Sequence, residues 1–519
     1  MKPHALTTLA AAVAAATTLS AAGSTTQGVV LHPKTSSAQS EILGIRTPHP
    51  PNILILLADD LGYADVTFNG AKDIKTPNLQ RLADTGVRLT NFRACPMCSP
   101  TRAGLMTGRW PLRYGLMKAV IPPWSKFGLP TTEKILPALL APAGYDQRHM
   151  VGKWHLGHAR LAFLPANRGF TSFYGLYNGA FEYFTHVRKE GGGQVDWHRD
   201  IPGKPSTVKE PGYSTDLLAA DAVRFIQQDH AGKPYLLYVA FNAPHGPLQA
   251  KLEDLAKYEN VNFSDPVSKT GKAGKKNRDN QTERRKYAAI IDNMDQNIGK
   301  ILDAIDKSPG AANTLVLFSS DNGGLLPYSR NTPYRDGKFS VYEGGIRVCA
   351  AIRWPAAGLA GGKTNNALIG YIDIVPTLMT LAGLPLPPAG SPNALDGIDI
   401  MPVLRGETPA PVRPWYSYFD QSHNPGASVI EGDWKLVAHE GDVLAPGKTA
   451  NTTYELYNIA TDPSEKTNVL KAHPDIVKRL KARLTEFGKT AASEEESVGT
   501  RGDGQAGFKA PKDWIPTTP

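Results

Sequence analysis

At 519 residues the chain is long enough for more than one domain. Three cysteines exclude a disulfide scaffold. The excess of 57 Lys+Arg over 48 Asp+Glu, formally +9, suits a polyanionic substrate, while the absence of any accompanying nucleic-acid-binding motif argues against DNA or RNA.

At the amino end, Lys2 precedes an Ala-rich apolar run from Ala5 to Leu19, and Ser20-Ala21-Ala22 has the small residues of a cleavage site. Residues 1–22 therefore read as a signal peptide, which predicts a periplasmic or secreted protein, and 23–50 as a polar linker. The run is too short and weakly apolar for a membrane anchor, and no other segment of the chain reads as a membrane span.

Four apolar segments follow, each the pattern of a strand buried on both faces. Asn52 to Ala58 ends in Asp59-Asp60, and a weaker segment from Gln147 to Val151 leads into Gly152-Lys153-Trp154-His155-Leu156-Gly157. Pro234 to Phe241 is followed by Asn242-Ala243-Pro244-His245, and Thr314 to Ser320 by Asp321-Asn322-Gly323-Gly324. In an open α/β sheet, ligands bind beyond the carboxyl ends of the strands, so these four termini would build one site. Between the first two lies Cys98-Ser99-Pro100-Thr101-Arg102, continuing as Ala-Gly-Leu-Met-Thr-Gly-Arg109. Proline in a first helical turn places Cys98 just before a helix beginning near Pro100, where free N–H groups favour an anion.

The residue types define the chemistry. Asp59, Asp60, Asp321 and Asn322 make a hard oxygen cage suited to Ca²⁺ or Mg²⁺. Arg102, Lys153, His155, His245 and Lys338 supply positive charge and proton-transfer groups, as a transferring sulfuryl or phosphoryl group requires. Taken singly, an Asp-Asp pair or an Asp-Asn-Gly-Gly run is ordinary turn chemistry; it is their conjunction that points to a site.

Elsewhere, apolar residues recur at helical spacing through Ile291, Met294, Ile298, Ile301 and Ile305. The basic run Lys269 to Lys286 reads either as a solvated loop ahead of that helix or as a basic lip for a sulfated glycan. Pro/Gly-rich stretches from Leu384 to Gly397 and Glu407 to Pro414 end a catalytic domain spanning 51–405. A small-sheet subdomain over 406–488 follows, with short strands at Trp415–Phe419, Trp434–Val437 and Tyr454–Asn458 and a helix from Pro474 to Phe487; 489–519 is a polar tail.

The Cys98 motif with its Leu-Met-Thr-Gly-Arg continuation resembles the signature of the type I sulfatases. The similarity runs from about Pro51 to about Asp462 and takes in Thr76-Pro77-Asn78-Leu79, Asn167-Arg168-Gly169-Phe170 and Tyr342-Glu343-Gly344-Gly345-Ile346-Arg347. It implies an α/β, alkaline-phosphatase-like fold, a large mixed sheet between helices with a small carboxyl-terminal antiparallel sheet plus helix. It also implies that a maturation enzyme oxidises Cys98 to formylglycine. In that family the aldehyde hydrate attacks sulfur, and its second hydroxyl then expels sulfate. By resemblance, Asp59, Asp60, Asp321 and Asn322 bind one Ca²⁺ together with modified Cys98. Arg102 and Lys153 stabilise charge, His155 is the base of the second half-reaction, and His245 with Lys338 contacts sulfate and protonates the leaving alcohol. The segment Tyr174 to His186 with Asp196-Trp197 is similar to the arylsulfatase B-like branch and suits sugar stacking or a packed loop equally. Related enzymes often carry a serine shortly after Gly-Phe-x-x-Phe, and no counterpart is evident after Phe173. The implied substrate is a sulfated carbohydrate. The alternatives are a formylglycine-dependent phosphonate or phosphate ester hydrolase, a non-catalytic sulfated-glycan binder, and, from Cys95-Pro96-Met97-Cys98, a redox or metal C-x-x-C.

Overall fold

The computed structural model describes residues 50–188, 193–263, 279–420, 425–441, 444 and 451–493. The proposed signal peptide, nearly all of the linker, and the tail beyond 493 lie outside them. So do Lys275, Lys276 and Arg278 of the basic run.

The chain is built on a nine-stranded mixed sheet. Its strands are β1 (Asn52–Ala58), β2 (Val87–Leu89), β3 (Gln147–Lys153), β4 (Ser172–Leu176), β5 (His198–Asp200), β6 (Tyr235–Ala240), β7 (Thr314–Ser320), β8 (Ala350–Arg353) and β9 (Lys363–Asn365). They lie in the order β9-β2-β8-β7-β1-β6-β3-β4-β5. The central five, from β7 to β4, are mutually parallel. Beside them, β8 and β5 run antiparallel.

Side-chain alternation along these strands divides the interior in two. Leu54, Leu56 and Ala58 enter one core, with Leu237, Val239, Val316 and Phe318. Ile53, Ile55 and Leu57 enter the other, with Leu236, Tyr238, Leu315 and Leu317. Both faces being covered, the strands are nearly continuous apolar runs, and each fully buried Leu or Ile contributes about 1.5–3 kcal/mol relative to exposure. The first core is completed by helices α1 (Pro77–Thr85), α3 (Ser214–Ile226) and α4 (Asp279–Asp306). The second takes α2 (Cys98–Thr107) and α5 (Ile374–Leu381).

The second core continues without a break into the carboxyl-terminal layer. There β10 (Trp415–Phe419), β11 (Gly426–Glu431), β12 (Trp434–His439) and β13 (Thr453–Asn458) form an antiparallel sheet covered by α6 (Pro474–Gly488). Trp415 meets Trp110 edge-on at 5.1 Å, and Tyr416 stacks on Phe487 at 4.1 Å. Beneath them Glu343 binds Arg93 at 2.7 Å and Lys435 at 2.9 Å, and Lys435 binds Glu465 at 2.8 Å. Strand β11 has no counterpart in the sequence reading, because Gly426-Ala427-Ser428 begins it with small residues that carry no β signal.

Two further expectations are refined. Cys98 is the first residue of α2, with Met97 at the N-cap, so the helix starts two residues earlier than Pro100 suggests. Arg284, from the basic run, is buried and bound to Asp65 at 2.6 Å and Asp73 at 3.1 Å, so it braces α4 and belongs to no solvated lip. Cys95, Cys98 and Cys349 are all free and buried. Cys95 faces one core and Cys349 the other, so the sheet separates them. No described helix is long and apolar enough to cross a membrane.

Candidate active site at the carboxyl ends of four parallel strands

Strands β1, β7, β6 and β3 are neighbours in the sheet, and their carboxyl ends deliver Asp59-Asp60, Asp321-Asn322, His245 and Lys153-His155 to one place. The strand ends are tied together by backbone bonds from Asp59 N–H to the Ala243 carbonyl and from Asp321 N–H to the Ala58 carbonyl, both 3.0 Å. Where β3 meets β6, a Cβ on Gly152 would lie 1.9 Å from the Ala240 carbonyl oxygen, and φ is +101°. Only glycine allows that approach, which sets where Lys153 emerges.

Every residue the sequence singled out is found here. Lys153 Nζ donates to Asp59 Oδ2 at 2.5 Å. Arg102 donates to Asp321 Oδ2 through Nε at 3.0 Å and Nη2 at 2.8 Å, and through Nη1 to the Lys153 carbonyl at 2.8 Å. Lys338 Nζ lies 2.7 Å from Asp60 Oδ1, 2.9 Å from Asp60 Oδ2 and 3.4 Å from Cys98 Sγ. Cys98 Sγ is in turn 3.5 Å from Asp59 Oδ1. Asn322 Nδ2 donates to Asp60 Oδ1 at 2.8 Å. Asp60 has φ +66°, a left-handed conformation that Asp tolerates better than most residues.

Arg102, Lys153 and Lys338 balance Asp59, Asp60 and Asp321, all buried. Burial pushes the Cys98 thiol up to about 12, so it stays protonated at neutral pH. Burial pushes Asp321 up to about 6, with repulsion from Asp59 adding to it. Burial would also raise Asp60, but Lys338, His245 and Lys153 together hold it well below the usual carboxylate range.

The two histidines are held in complementary ways. His155 Nε2 faces the Ile121 carbonyl at 3.1 Å, so that nitrogen carries the proton and Nδ1 is left as an acceptor, buried without a partner. Burial and the cations around it hold His155 well below its usual range. His245 Nδ1 faces the Gly246 carbonyl at 2.7 Å, which leaves Nε2 as its acceptor, 3.6 Å from Asp60 Oδ2. Burial lowers His245 to about 4.

The donor set fits a divalent cation. Asp59, Asp60, Cys98 and His245 each offer a ligand atom, and these lie within 4.8 Å of one another. Asn322 Oδ1 is buried and unpartnered, an orphan acceptor that a cation would satisfy. Asp321, expected among the ligands, stands outside that cluster of four, and His245 stands in it; Asp321 Oδ1 accepts the Asp60 backbone N–H at 3.2 Å and its Oδ2 belongs to Arg102.

Residues 51–384 match the Sulfatase family, and residues 334–490 match the family described as N-sulphoglucosamine sulphohydrolase, C-terminal. The chain belongs to the sulfatase family. It is a sulfuric ester hydrolase. This sulfatase is 29% identical to arylsulfatase J of Mus musculus over 479 residues, covering 85% of this chain and 76% of that protein. It is 34% identical to N-acetylgalactosamine-6-sulfatase of Mus musculus over 388 residues, covering 70% and 68%. Among solved structures, Ps i-CgsB is 33% identical with a TM-score of 0.73, covering 86% of this chain and 94% of that one, and the same protein has been solved in complex with k-i-k-neocarrahexaose.

Several supporting groups of this sulfatase were not legible beforehand. Ser99 Oγ donates to the His155 carbonyl at 2.9 Å and accepts the Ile121 N–H at 3.2 Å. That links the start of α2, the Ile121 loop and His155. Tyr287, at the start of the periodic stretch of α4, donates to the Asp60 carbonyl at 3.0 Å and accepts from Gly62 N–H at 3.1 Å. A Cβ on Gly179 would lie 2.6 Å from the His155 ring, so this glycine makes room for the imidazole. In the aromatic segment, Tyr177, Phe181, Tyr183 and Trp197 are buried, with His186 stacked on Trp197 at 4.4 Å. Packing is thus the role of most of that segment, leaving Phe184 exposed. The C-x-x-C reading fails as a pair, because Cys95 Sγ bonds the Tyr371 hydroxyl at 2.9 Å and Cys98 faces the site.

Proposed function

We propose that this sulfatase removes sulfate from a sulfated carbohydrate, using formylglycine made from Cys98 by a maturation enzyme and one Ca²⁺. Asp59, Asp60, Asp321 and Asn322, with the converted residue 98, would hold the ion. The observation that carries the reading is the environment of Cys98. An unmodified thiol raised to about 12 is a poor nucleophile, yet it stands between Asp59 and Lys338 at the centre of the site. When present, the converted side chain supplies an oxygen nucleophile, and Ca²⁺ supplies charge that stabilises the sulfate oxygens.

The other side chains do the rest. Lys153, Lys338 and Arg102 keep three carboxylates neutralised, so a bound divalent ion leaves the site positive and receptive to an anionic ester. His155, its Nε2–H fixed on the Ile121 carbonyl, offers Nδ1 to take a proton. His245 is neutral before substrate arrives, because burial lowers it to about 4. An anionic sulfate beside Nε2 favours its protonated form, and that proton then passes to the leaving alcohol. A carbohydrate substrate is supported by the N-acetylgalactosamine-6-sulfatase relatives and by the oligosaccharide in the Ps i-CgsB complex. The apolar run before residue 22 supports export to the periplasm or beyond, where a polymeric glycan is met.

The test is the mass of the peptide containing Cys98 from protein made in its native host. A loss close to one water's mass relative to cysteine is expected, and an intact thiol in protein that turns over would overturn the conversion. Sulfate release from a sulfated N-acetylgalactosamine oligosaccharide, set beside hydrolysis of a phosphonate ester, tests the reaction class. Preference for the phosphonate would overturn it.

A further inference from the structure

At the opposite end of the sheet, where β3 and β4 begin, a pocket of ≈ 310 Å³ opens between the sheet edge and the last turn of α3. That is the low end of volumes typical of small-ligand sites. It lies four residues or more upstream of Lys153 along β3, about 13 Å away at ~3.3 Å per residue. It therefore shares no residue with the catalytic site.

Two arginines converge in it on one buried carboxylate oxygen. Arg199 Nη1 donates to Asp221 Oδ1 at 2.8 Å, and Arg224 Nη2 donates to the same oxygen. Asp221 is only 4% exposed, and its other oxygen is held by His149 Nε2 at 2.7 Å, while His149 Nδ1 meets Ser172 Oγ at 2.7 Å. The carboxylate is thus fixed from behind and fixes both guanidiniums in front. Each arginine spends one nitrogen on Asp221, and a guanidinium carries five N–H donors. Arg199 is further oriented by lying 3.9 Å over the Tyr174 ring. The arginine side chains are 42% and 58% exposed, so their remaining donors are within reach of a ligand. Two further acids are near: Asp200 is committed to the Tyr177 hydroxyl at 2.5 Å and the Ser206 N–H at 2.9 Å, and Glu210 accepts the Tyr174 hydroxyl beside Arg199. Phe225 supplies apolar wall, and Ile201, 51% exposed, stands on the rim.

A pair of pre-oriented guanidiniums beside an aromatic wall, with the amide groups of Gln147 and Gln228 near them, matches an anionic sugar. We propose that this pocket is a second saccharide-binding site, taking one sulfated or uronic unit of a glycan with its anionic group on Arg199 and Arg224. It rests on the proposed sulfated-glycan substrate only for the choice of probe.

The experiment counts binding by calorimetry on the otherwise intact Cys98→Ala protein, which cannot consume the probe. The probe is a chondroitin 6-sulfate hexasaccharide, with sodium sulfate alone in a parallel titration. Two equivalents are expected, falling to one in Arg199→Gln/Arg224→Gln with the melting temperature unchanged. Because those changes touch the partners of buried Asp221, Ile201→Glu serves as a second variant. It leaves every hydrogen bond of the cluster intact and should weaken the second site by about tenfold or more through like-charge repulsion. One equivalent in every variant overturns this inference and leaves the catalytic reading standing. Sodium sulfate occupying the pocket as well as the hexasaccharide does would reduce it to an adventitious anion site and overturn the sugar assignment. No binding at all would overturn both this site and the proposed substrate class.

Discussion

Arg102 holds Asp321 Oδ2 through two nitrogens, at 3.0 and 2.8 Å, while the other oxygen of that carboxylate accepts the Asp60 backbone N–H at 3.2 Å. A helix residue thereby locks the end of β7 to the end of β1. The same guanidinium reaches the Lys153 carbonyl at 2.8 Å, so three strand ends and the helix bearing Cys98 share one fully buried cation. A buried ion pair of this kind contributes little net stability but strongly penalises loss of either partner. Its worth lies in registering the site.

The orphan Asn322 Oδ1 makes metal binding measurable without turnover. At Ca²⁺ concentrations near 100 times Kd, stability should rise by about 2.7 kcal/mol, read as a higher melting temperature. In Asn322→Leu that increment should shrink by most of its value. The metal-free protein should change by less than about 2 kcal/mol, because the lost Nδ2 bond to Asp60 is offset by removal of an unsatisfied acceptor. An identical Ca²⁺ shift in both proteins would remove Asn322 from the ligand set.

Gly179 should matter only through His155. A methyl group there falls 2.6 Å from the imidazole, and the φ of this glycine lies outside the left-handed region that would strain an alanine. Gly179→Ala is expected to lower kcat by about 10²-fold, as a misplacement near 1 Å does, with KM little changed. A matching collapse of the melting temperature would show that the glycine serves packing instead.

His158 should impose a pH dependence on stability. Burial lowers it from 6.5 to about 4 in the folded protein, with its Nε2 3.0 Å from the Pro123 carbonyl. Between those values the unfolded chain binds the proton and the native one does not, so this contribution is present above pH 6.5 and is lost as pH falls toward 4. The loss is at most about 3.5 kcal/mol, from the pKa gap at ~1.4 kcal/mol per unit. His158→Gln keeps a donor for Pro123 and should flatten the difference between unfolding curves at pH 7 and 4.5. An unchanged difference would assign the dependence to other groups.

Glu343 is the joint between the main sheet and the carboxyl-terminal layer. Its carboxylate lies fully buried between Arg93 at 2.7 Å and Lys435 at 2.9 Å. Glu343→Leu leaves two buried cations short of charge and should cost about 3–5 kcal/mol in urea unfolding. Cleavage by a protease between residues 406 and 414 should accelerate, reporting release of β10–β13. Resistance equal to the parent protein would mean that the Trp110–Trp415 and Tyr416–Phe487 contacts suffice alone.

The amino-acid order by itself determined the central strands and the acids at their ends. Asn52 to Ala58, Tyr235 to Ala240 and Thr314 to Ser320 are legible because a strand covered on both faces must be apolar without interruption. The turn that ends such a strand is where charged residues can reappear, so Asp59-Asp60 and Asp321-Asn322 are marked by position. The Cys98 to Arg109 stretch marks the family because its spacing is specific. Only the tertiary structure decided the rest. Short strands such as β2, β8, β9 and β11 owe their existence to neighbours, since three to six residues of mixed polarity carry no period of their own. The proton on His155 is placed by the carbonyl of Ile121, a group every residue possesses and no sequence pattern can flag. The segment from Tyr174 to His186, with Asp196-Trp197, could equally have been a sugar platform or a packed loop. Most of its rings are buried, Phe184 excepted, because Trp197 and Phe181 find one another across the fold, at 5.7 Å, a contact that depends on where the chain returns.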